Sequence, residues 1–198
     1  MQFNDLLNEV CKFSAMRATT ALSKFLKIPI GMEMKLVEVK DFNDINMFAN
    51  SREEMVSIFL PITGSLPGAS FFLYTKASAL SLCDILFNKK IGTSKSLIDA
   101  EISALSEVAN IVIGNFLTTF AQSLQVDMLM HRSPIFELAP INSTLKKRLP
   151  QLKEKMSQAV LSISFGFHHI NIQGFVVIIF SEKEIQNILT NISSPTIS

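Results

Sequence analysis

The stretch GFVVIIFSEKEIQNIL, Gly174 to Leu189, decides the fold because an earlier stretch, GASFFLYTKASALSLCDIL (Gly68 to Leu86), has the same order of features. Each contains a glycine, an apolar run suited to a strand, a hydroxyl residue and an amphipathic helix pattern. A second match aligns DLLNEVCK, Asp5 to Lys12, with SALSEVAN, Ser103 to Asn110. Self-similarity at a long period indicates an internal repeat. One structural unit therefore occurs twice in this chain.

The repeats predict a single domain, residues 1–198, with copies at about 1–90 and 99–192. Each copy should begin with a long helix, since apolar residues recur there at spacings of three and four. Thr75 and Ser181 are predicted N-caps of the closing helices, Ser181 with Glu184 in a capping box. The predicted long helices are Phe3–Leu26 and Asp99–Leu124, and the predicted strands are Met32–Lys40, Met55–Pro61, Ala69–Tyr74, Gln125–Arg132, Gln158–Phe167 and Ile172–Phe180.

Long helices beside antiparallel strands with short connections predict an α+β fold. The helices should flank the sheet, and a pseudo-twofold axis should relate the two copies. The segment ITGSLPG, Ile62 to Gly68, predicts a hairpin because it carries glycine and proline between two apolar runs. The run FVVIIF, Phe175 to Phe180, is apolar at every position, as in strands covered on both faces. The closing helices or a partner should cover the second face.

Composition excludes several classes of protein. Hydrophobic residues make up 48% of the chain and charged residues 18%, which is typical of a globular protein rather than a disordered one. A net charge of +1 does not indicate the basic surface that nucleic-acid binding requires. The basic residues at 146–155 are interpreted as a solvated connector. The longest strongly apolar run, Phe175 to Phe180, is far shorter than the roughly 20 residues that span a bilayer. Without a signal-peptide pattern, we expect a cytoplasmic protein with no membrane insertion.

Cysteine and histidine usage predicts neither a disulfide framework nor a metal site. Cys11 and Cys83 lie in helix-like sequence, where a buried thiol behaves as a small hydrophobe. His131, His168 and His169 have no cysteine or carboxylate at ligand spacing. The His168–His169 pair is instead predicted to mark a turn between two strands.

One face of the second long helix carries small and polar residues. At about 100° per residue, Glu107, Asn110 and Gly114 fall within roughly 40° of Ser103. Gly114 lowers helix stability by about 1 kcal/mol relative to alanine, and such a glycine lets a neighbour approach the backbone. Glutamate and asparagine three residues apart also occur on ordinary solvated helix surfaces. The face is thus either a docking surface or plain helix exterior.

The corresponding face of the first long helix differs in one important residue. Its equivalent positions are Asp5, Glu9, Lys12 and Met16. A carboxylate is retained at Glu9, whereas lysine replaces the carboxamide and methionine replaces the glycine. If the chemistry needs an amide, only the second helix can perform it.

The sequence resembles the CheC, CheX and FliY family of chemotaxis phosphatases. The family signature is Asp or Ser, three residues, Glu, two residues, Asn, and a later proline, which here corresponds to Ser103, Glu107, Asn110 and Pro134. The duplication, the segment LPITGSLPG and the start DLLNEV also resemble the family, so that the likeness covers nearly the whole chain.

The resemblance implies removal of phosphate from the phospho-aspartate of a CheY-like response regulator. It implies that Asn110 orients the attacking water, that Glu107 pairs with a lysine beside the phosphorylation site, and that Ser103 and Gly114 support docking. The regulator would supply Mg²⁺, so this chain needs no cofactor of its own. A CheD-type deamidase is a further partner of such proteins, and the sequence leaves its binding open.

One departure from the family pattern and two alternatives accompany the resemblance. Family members with two working sites have a second Glu and Asn followed by small residues, whereas this chain has Lys12, Met16 and Arg17. The first site, comprising Asp5, Glu9 and Lys12, is therefore predicted to be degenerate. The alternatives are a non-catalytic module like the middle domain of the flagellar switch protein FliM, and a sink that binds the phosphorylated regulator without hydrolysing it.

Overall fold

Seven antiparallel strands form one sheet in the computed structural model of the chain, which describes residues 3–39, 54–131, 133–148, 158–167 and 170–193. The strands are β1 (Ile30–Val39), β2 (Glu54–Gly64), β3 (Gly68–Thr75), β4 (Met128–Met130), β5 (Ile135–Pro140), β6 (Gln158–Phe167) and β7 (Ile170–Ser181). The helices are α1 (Phe3–Leu26), α2 (Lys76–Leu86), α3 (Asp99–Leu124), α4 (Ile141–Arg148) and α5 (Glu182–Ser193). The α+β fold class is thus confirmed.

The strand order is symmetric about the centre of the sheet. It runs β1-β6-β7-β3-β2, and both β4 and β5 pair with the outer side of β2. At the centre, Phe71 of β3 lies opposite Val177 of β7, and these residues occupy equivalent positions in the two predicted repeats. Exchanging the repeats therefore reproduces the same set of strand pairs, as a pseudo-twofold axis requires. The repeat boundaries at about 1–90 and 99–192 stay a prediction.

The main core lies between the sheet and four helices. The long helices α1 and α3 pack against each other, and α2 and α5 lie on the same face of the sheet. Among the helices in the described part of the chain, one, α3, is long and apolar enough to cross a membrane by length and composition. Its apolar side chains are those that face this core, which accounts for its hydropathy. The core includes Leu22, Val56, Leu105, Phe116, Val176 and Ile178.

The opposite face of the sheet carries a smaller apolar cluster covered by α4. Phe71, Leu73 and Val177 pack there with Ile141 and Leu145 of α4. Strand β7 is buried on both faces, as expected. The second face was expected to be covered by a closing helix or a partner, but around Val177 it is covered by α4. Both closing helices, α2 and α5, are on the main core side. The short helix was missed because its last residues are basic.

The end of α4 is held by charge. Glu137 of β5 accepts hydrogen bonds from Lys147, at 2.7 Å, and from Arg148. Partial burial by itself raises the pKa of Glu137, but these two cations outweigh it and leave the pKa below its usual value. The interpretation of residues 146–148 as a solvated connector was therefore wrong, while Lys153 and Lys155 lie outside the described residues.

The predicted strand Gln125–Arg132 is also corrected. Gln125 ends α3 in the left-handed conformation, with φ of 53°, and of the described residues in that range only Met128–Met130 form a strand, β4. The next strand, β5, begins beyond the predicted range and was missed. Pro134 lies between β4 and β5 and has no N–H to donate to β2. The outer edge of the sheet is therefore interrupted between these two strands.

Other local predictions are confirmed. The long helices have the predicted bounds, and the side chain of Thr75 accepts a hydrogen bond from the Ser78 amide as an N-cap. Segment 62–68 connects the paired strands β2 and β3. Gly64 is required in that turn, since it has φ of 109° and an added Cβ would lie 2.3 Å from the Asp127 carbonyl oxygen. β6 and β7 pair antiparallel around 168–169, but His168 and His169 themselves lie outside the described residues, and the Ser181–Glu184 capping box stays a prediction.

A buried aspartate organises the connection between α2 and α3. The carboxylate of Asp84 accepts hydrogen bonds from the amides of Gly92, Thr93 and Ser94, at 2.7, 3.0 and 2.9 Å. Burial raises the pKa of Asp84, but the hydrogen bonds from the loop outweigh it, so the net pKa is lowered. This carboxylate holds the loop that leads into α3.

Replacement of Phe116 should test how much the core depends on α3. Phe116 is fully buried and stacks on Phe120, with ring centroids 5.5 Å apart. We expect Phe116→Ala to lower the free energy of unfolding by about 3–5 kcal/mol, because it removes a large buried side chain and leaves a cavity. Urea unfolding monitored by circular dichroism would measure the change. Thr118→Ala, an exposed change on the same helix, should stay within about 0.5 kcal/mol of the parent.

The Asp84 carboxylate should make stability depend on pH in the acidic range. A group whose pKa is lowered on folding stabilises the protein above its unfolded-state pKa, here near 3.8, and loses that contribution as the pH falls through the folded-state value. Asp84→Asn should therefore unfold at lower urea concentration than the parent at neutral pH, and the difference should shrink below about pH 4. Asp127→Asn, at an exposed position, is the matched control. A difference that stays constant down to pH 2 would contradict this account.

Candidate active site

The polar stripe predicted from sequence is present on α3. Ser103 and Glu107 are exposed, and Asn110 and Gly114 are half-buried. The residues predicted to point the opposite way are all buried in the main core; they are Leu105, Ala109, Val112 and Phe116. The helix therefore divides into an apolar face and the polar stripe.

The side chain of Asn110 is not used by the fold. Its Oδ1 is shielded from solvent and makes no hydrogen bond within the described part of the chain. Leaving a buried polar atom without a partner costs about 1–3 kcal/mol, so most such atoms in folded proteins are paired. The carboxamide can thus form a new hydrogen bond without breaking one. Asn115, one turn further on, is different, because its amide donates to the Ile111 carbonyl at 2.7 Å.

Glu107 is likewise available to a ligand. Its carboxylate is exposed and has no ion pair or hydrogen bond with another described residue. An exposed carboxylate of this kind offers an anchor for a cation at the edge of the half-buried amide. Together the two side chains could bind a cationic group and orient a small polar molecule beside it.

Gly114 leaves open space rather than meeting an internal packing need. A Cβ added there would contact only the Met130 side chain, at 3.7 Å, which is an ordinary van der Waals distance. Alanine would therefore fit within this chain and would favour the helix by about 1 kcal/mol. The glycine has no intramolecular explanation among the described residues, which is consistent with close approach by something outside the chain.

The stripe continues beyond Gly114 into a groove that sequence reasoning missed. The groove has a volume of about 520 Å³ and lies at the end of α3 beside the turn after β2. A helical projection could have found two of its residues, since Thr118 and Ala121 lie within about 60° of Ser103, whereas Gln122 lies about 100° away. The remaining residues come from separate segments, and no helical pattern includes them. The lining is Ser65, Thr118, Ala121, Gln122, Gln125, Val126, Asp127 and Met128.

A buried carboxylate, that of Glu101, forms an ion pair in the first turn of α3. Glu101 is 6% exposed, and its Oε1 is 3.6 Å from Nζ of Lys89. With the Asp84 loop, this ion pair fixes where α3 begins relative to α2. The sequence analysis did not single out either contact, because each joins residues that belong to different elements.

The two cysteines do not contribute a nucleophile. Both are free and buried, as predicted. Burial raises the pKa of Cys11 to about 12, and burial together with the Glu101 and Asp84 charges raises the pKa of Cys83 to about 12. Each thiol is therefore protonated at neutral pH and unreactive.

The remaining predicted site residues are distributed around α3. Asp5, Glu9 and Lys12 are exposed on α1, which packs beside α3, and the equivalent of Gly114 is Met16, 49% exposed. Pro134 is half-buried at the break between β4 and β5. His131 is exposed, and its Nδ1 accepts from the Ser133 amide at 3.3 Å. Within the described ranges, no three His, Cys, Asp or Glu residues are grouped so that they could hold a metal ion.

The segment that carries the stripe matches a known family. The CheC-like family model matches residues 101–131, which contain Glu107, Asn110 and Gly114. Over 160 residues the chain is 25% identical to the CheY-P phosphatase CheC of Bacillus subtilis (strain 168), covering 79% of this chain and 76% of that protein.

Solved structures share the fold. FliY from Thermotoga maritima superposes with a TM-score of 0.73 at 17% identity, covering 95% of this chain and 94% of that one. CheX from Borrelia burgdorferi, solved in complex with CheY, BeF₃ and Mg²⁺, has a TM-score of 0.57 at 18% identity over 91% and 99%. The FliM middle domain (51–229) from Vibrio alginolyticus has a TM-score of 0.63 at 13% identity over 94% and 98%. The chain is thus similar to the CheC-like family over residues 101–131 and to CheC over most of its length, and it shares its fold with FliY and CheX.

Proposed function

We propose that this protein removes phosphate from the phospho-aspartate of a CheY-like response regulator in chemotaxis or two-component signalling. The observation that carries the proposal is the pair formed by the exposed Glu107 and the Asn110 amide oxygen that has no internal hydrogen bond. Both lie in the segment that matches the CheC-like family. The related CheC acts on CheY-P by its name, and the related CheX was solved with CheY.

Asn110 orients the attacking water. Hydrolysis of an acyl phosphate needs a water molecule in line with the bond that breaks, and a positioned hydrogen-bonding group lowers the barrier by holding that water in place. A carboxamide can do this while remaining neutral, so it neither repels the phosphoryl oxygens nor competes for a metal ion. Since its oxygen has no partner in the fold, the water replaces no existing hydrogen bond.

Glu107 anchors the regulator. It pairs with a lysine beside the phosphorylation site, which holds the complex together and removes that cation from the phosphoryl group. Ser103 and Gly114 line the approach, the latter by leaving space above the backbone. Pro134 ends the edge strand near this side of the sheet and so shapes the surface that the regulator meets.

The metal ion belongs to the regulator in this scheme. Mg²⁺ on the regulator neutralises charge on the phosphoryl group, and this chain supplies the amide and the carboxylate. The reaction takes place in the cytoplasm, where such regulators act. Binding of a CheD-type deamidase stays a prediction that no contact described here addresses.

Only α3 is catalytic. Lys12 stands on α1 where α3 has Asn110, and an ammonium group cannot accept a hydrogen bond from water. At a desolvated contact it would also face the regulator's own lysine and metal ion, and like charges there are unfavourable by several kcal/mol. The α1 site is therefore degenerate.

The second candidate is a binding module without catalysis. It is favoured by the similarity of the fold to the FliM middle domain. A sink that only sequesters the phosphorylated regulator is a variant of this candidate. Incubation of radiolabelled phospho-regulator with a substoichiometric amount of this protein separates catalysis from both alternatives: a phosphatase releases all the label, whereas a sink or a structural module leaves the rate of label loss unchanged.

Asn110→Ala should lower turnover by roughly 10²-fold, the effect of losing one preorganised hydrogen-bonding group in a polar transition state. The fold should be retained, because the removed oxygen has no partner. Asn115→Ala, the same substitution on the same helix but off the stripe, is the matched control and should leave turnover within about twofold. Equal rates for Asn110→Ala and the parent would remove the catalytic assignment.

Glu107→Ala should act on recognition rather than on turnover of the bound complex. Loss of one partner of a buried interfacial ion pair weakens binding by about 2–5 kcal/mol, so the affinity for the phosphorylated regulator should fall at least tenfold. Glu9→Ala on α1 is the matched control and should bind within about twofold of the parent. Surface plasmon resonance with a stable phosphoryl mimic on the regulator measures this, and unchanged affinity of Glu107→Ala would contradict the anchor.

A further inference from the structure

The neighbouring segments of α1 and α3 carry opposite charge. Between Val10 and Met32 the chain contains lysine and arginine but no acidic residue. Between Ser96 and Met130 it contains aspartate and glutamate but neither lysine nor arginine. Because the two helices pack side by side, one surface of the molecule is divided into a basic half and an acidic half. The two long helices therefore differ in the charge that they present beyond the first turns of α1.

The basic half has a defined exposed face on α1, which we call the basic face: Lys12, Phe13, Met16, Arg17 and Lys24. At about 100° per residue these five positions fall within roughly 140° of the helix circumference, so they occupy one broad side of it. Phe13 is 43% exposed and Met16 is 49% exposed. The Arg17 guanidinium lies over the Phe13 ring, 5.2 Å from its centroid. None of the three cations forms an ion pair with a carboxylate within the described residues.

A groove runs along this face. It has a volume of about 450 Å³ and lies between the second half of α1 and the start of β1. Met16 and Lys24 contribute to it from the basic face, and Pro29, Ile30 and Met32 contribute apolar surface from the other wall. Thr19, Thr20 and Ser23 complete the lining, so the groove offers an apolar wall for an inserted side chain beside hydroxyl groups and a cation.

The spacing of the cations defines what would fit. Lys12 and Lys24 are about 18 Å apart along the axis, at 1.5 Å per residue. That distance corresponds to roughly three turns of a partner helix with carboxylates at successive turns. A bilayer fits less well, since an interfacial helix needs a broad apolar face and the apolar face of α1 is occupied by the core through Leu7, Ala15 and Leu22.

We propose that the basic face of α1 docks an acidic amphipathic helix of a second protein, with an apolar side chain of that helix in the groove. Complementary charge steers the encounter and fixes the orientation, while the apolar contact stabilises the complex. Neither long helix needs to be catalytic for this docking to occur. The α1 half of the duplicated surface then has a partner different from the one that α3 binds.

The test uses a synthetic helical peptide of about four turns with glutamate and leucine at successive i, i+4 positions, and a second peptide with glutamine in place of glutamate. The glutamate peptide should bind, with affinity that falls as salt is raised, and should shift the amide resonances of the basic face in NMR spectra. Lys12→Glu/Arg17→Glu/Lys24→Glu should weaken binding at least about tenfold. The matched control Lys76→Glu/Lys90→Glu/Lys183→Glu changes the net charge equally at exposed positions and should bind within about twofold.

Several outcomes would overturn the proposal. They include absent binding, equal binding of the glutamate and glutamine peptides, and equal loss in the control variant. Binding to phosphatidylserine vesicles but not to the peptide would assign the face to a membrane. Self-association of the parent that is abolished by the basic-face variant would assign it to a second copy of this chain. Urea unfolding of both triple variants shows whether each is folded, and Met16→Ala, which changes no charge, tests the apolar contact separately.

Discussion

The antiparallel pairing of β3 with β7 is the constraint on which the rest of the structure depends. Both strands are apolar on both faces, and Phe71 and Val177 lie opposite each other at their centre. Because each strand belongs to a different predicted repeat, this pairing joins the two halves into one sheet. It also puts both long helices on the same face, where they must pack against each other. The position of the functional stripe follows from this arrangement, since the inner side of α3 is committed to the core.

The stripe on α3 is separated from the interactions that stabilise the fold. Stability comes from Leu105, Phe116 and their neighbours, whereas the outer side chains have few internal contacts. Asn110 is the extreme case, with a shielded oxygen that has no hydrogen-bond partner among the described residues. A buried oxygen without a hydrogen-bond partner lowers the stability of the fold slightly, but it can accept a hydrogen bond from a ligand without breaking an internal one. Because of this division, the outer side chains of either long helix can differ without affecting the core.

The two long helices show how such a duplication diverges. At equivalent positions, Asn110 corresponds to Lys12 and Gly114 to Met16, while the carboxylate of Glu107 is retained at Glu9. Beyond Val10 the charged residues of α1 are all basic, whereas those of α3 are all acidic. The exposed sides of the two helices therefore differ in charge while the packing between the helices is retained.

Sequence by itself determined the elements whose signals are local. The bounds of α1 and α3, the Thr75 cap and the turn at Gly64 were predictable because apolar periodicity and capping chemistry act over a few residues. The stripe was predictable for the same reason, since residues on one helix face follow from the helical period. Functional roles for those residues came from the family resemblance.

Tertiary structure decided whatever depends on contacts between distant segments. It shortened the predicted strand Gln125–Arg132 to β4 and added β5 after Pro134, because pairing with β2 decides where an edge strand begins and ends. It made a helix of residues 141–148, because Ile141 and Leu145 cover the second face of the sheet while Glu137 pairs with the basic end. It also placed the start of β1 beside α1, which formed a groove along the basic face. The physical reason is the same in all three cases. Burial and charge pairing depend on which segments pack against each other, and the local sequence of a segment does not specify its packing partner.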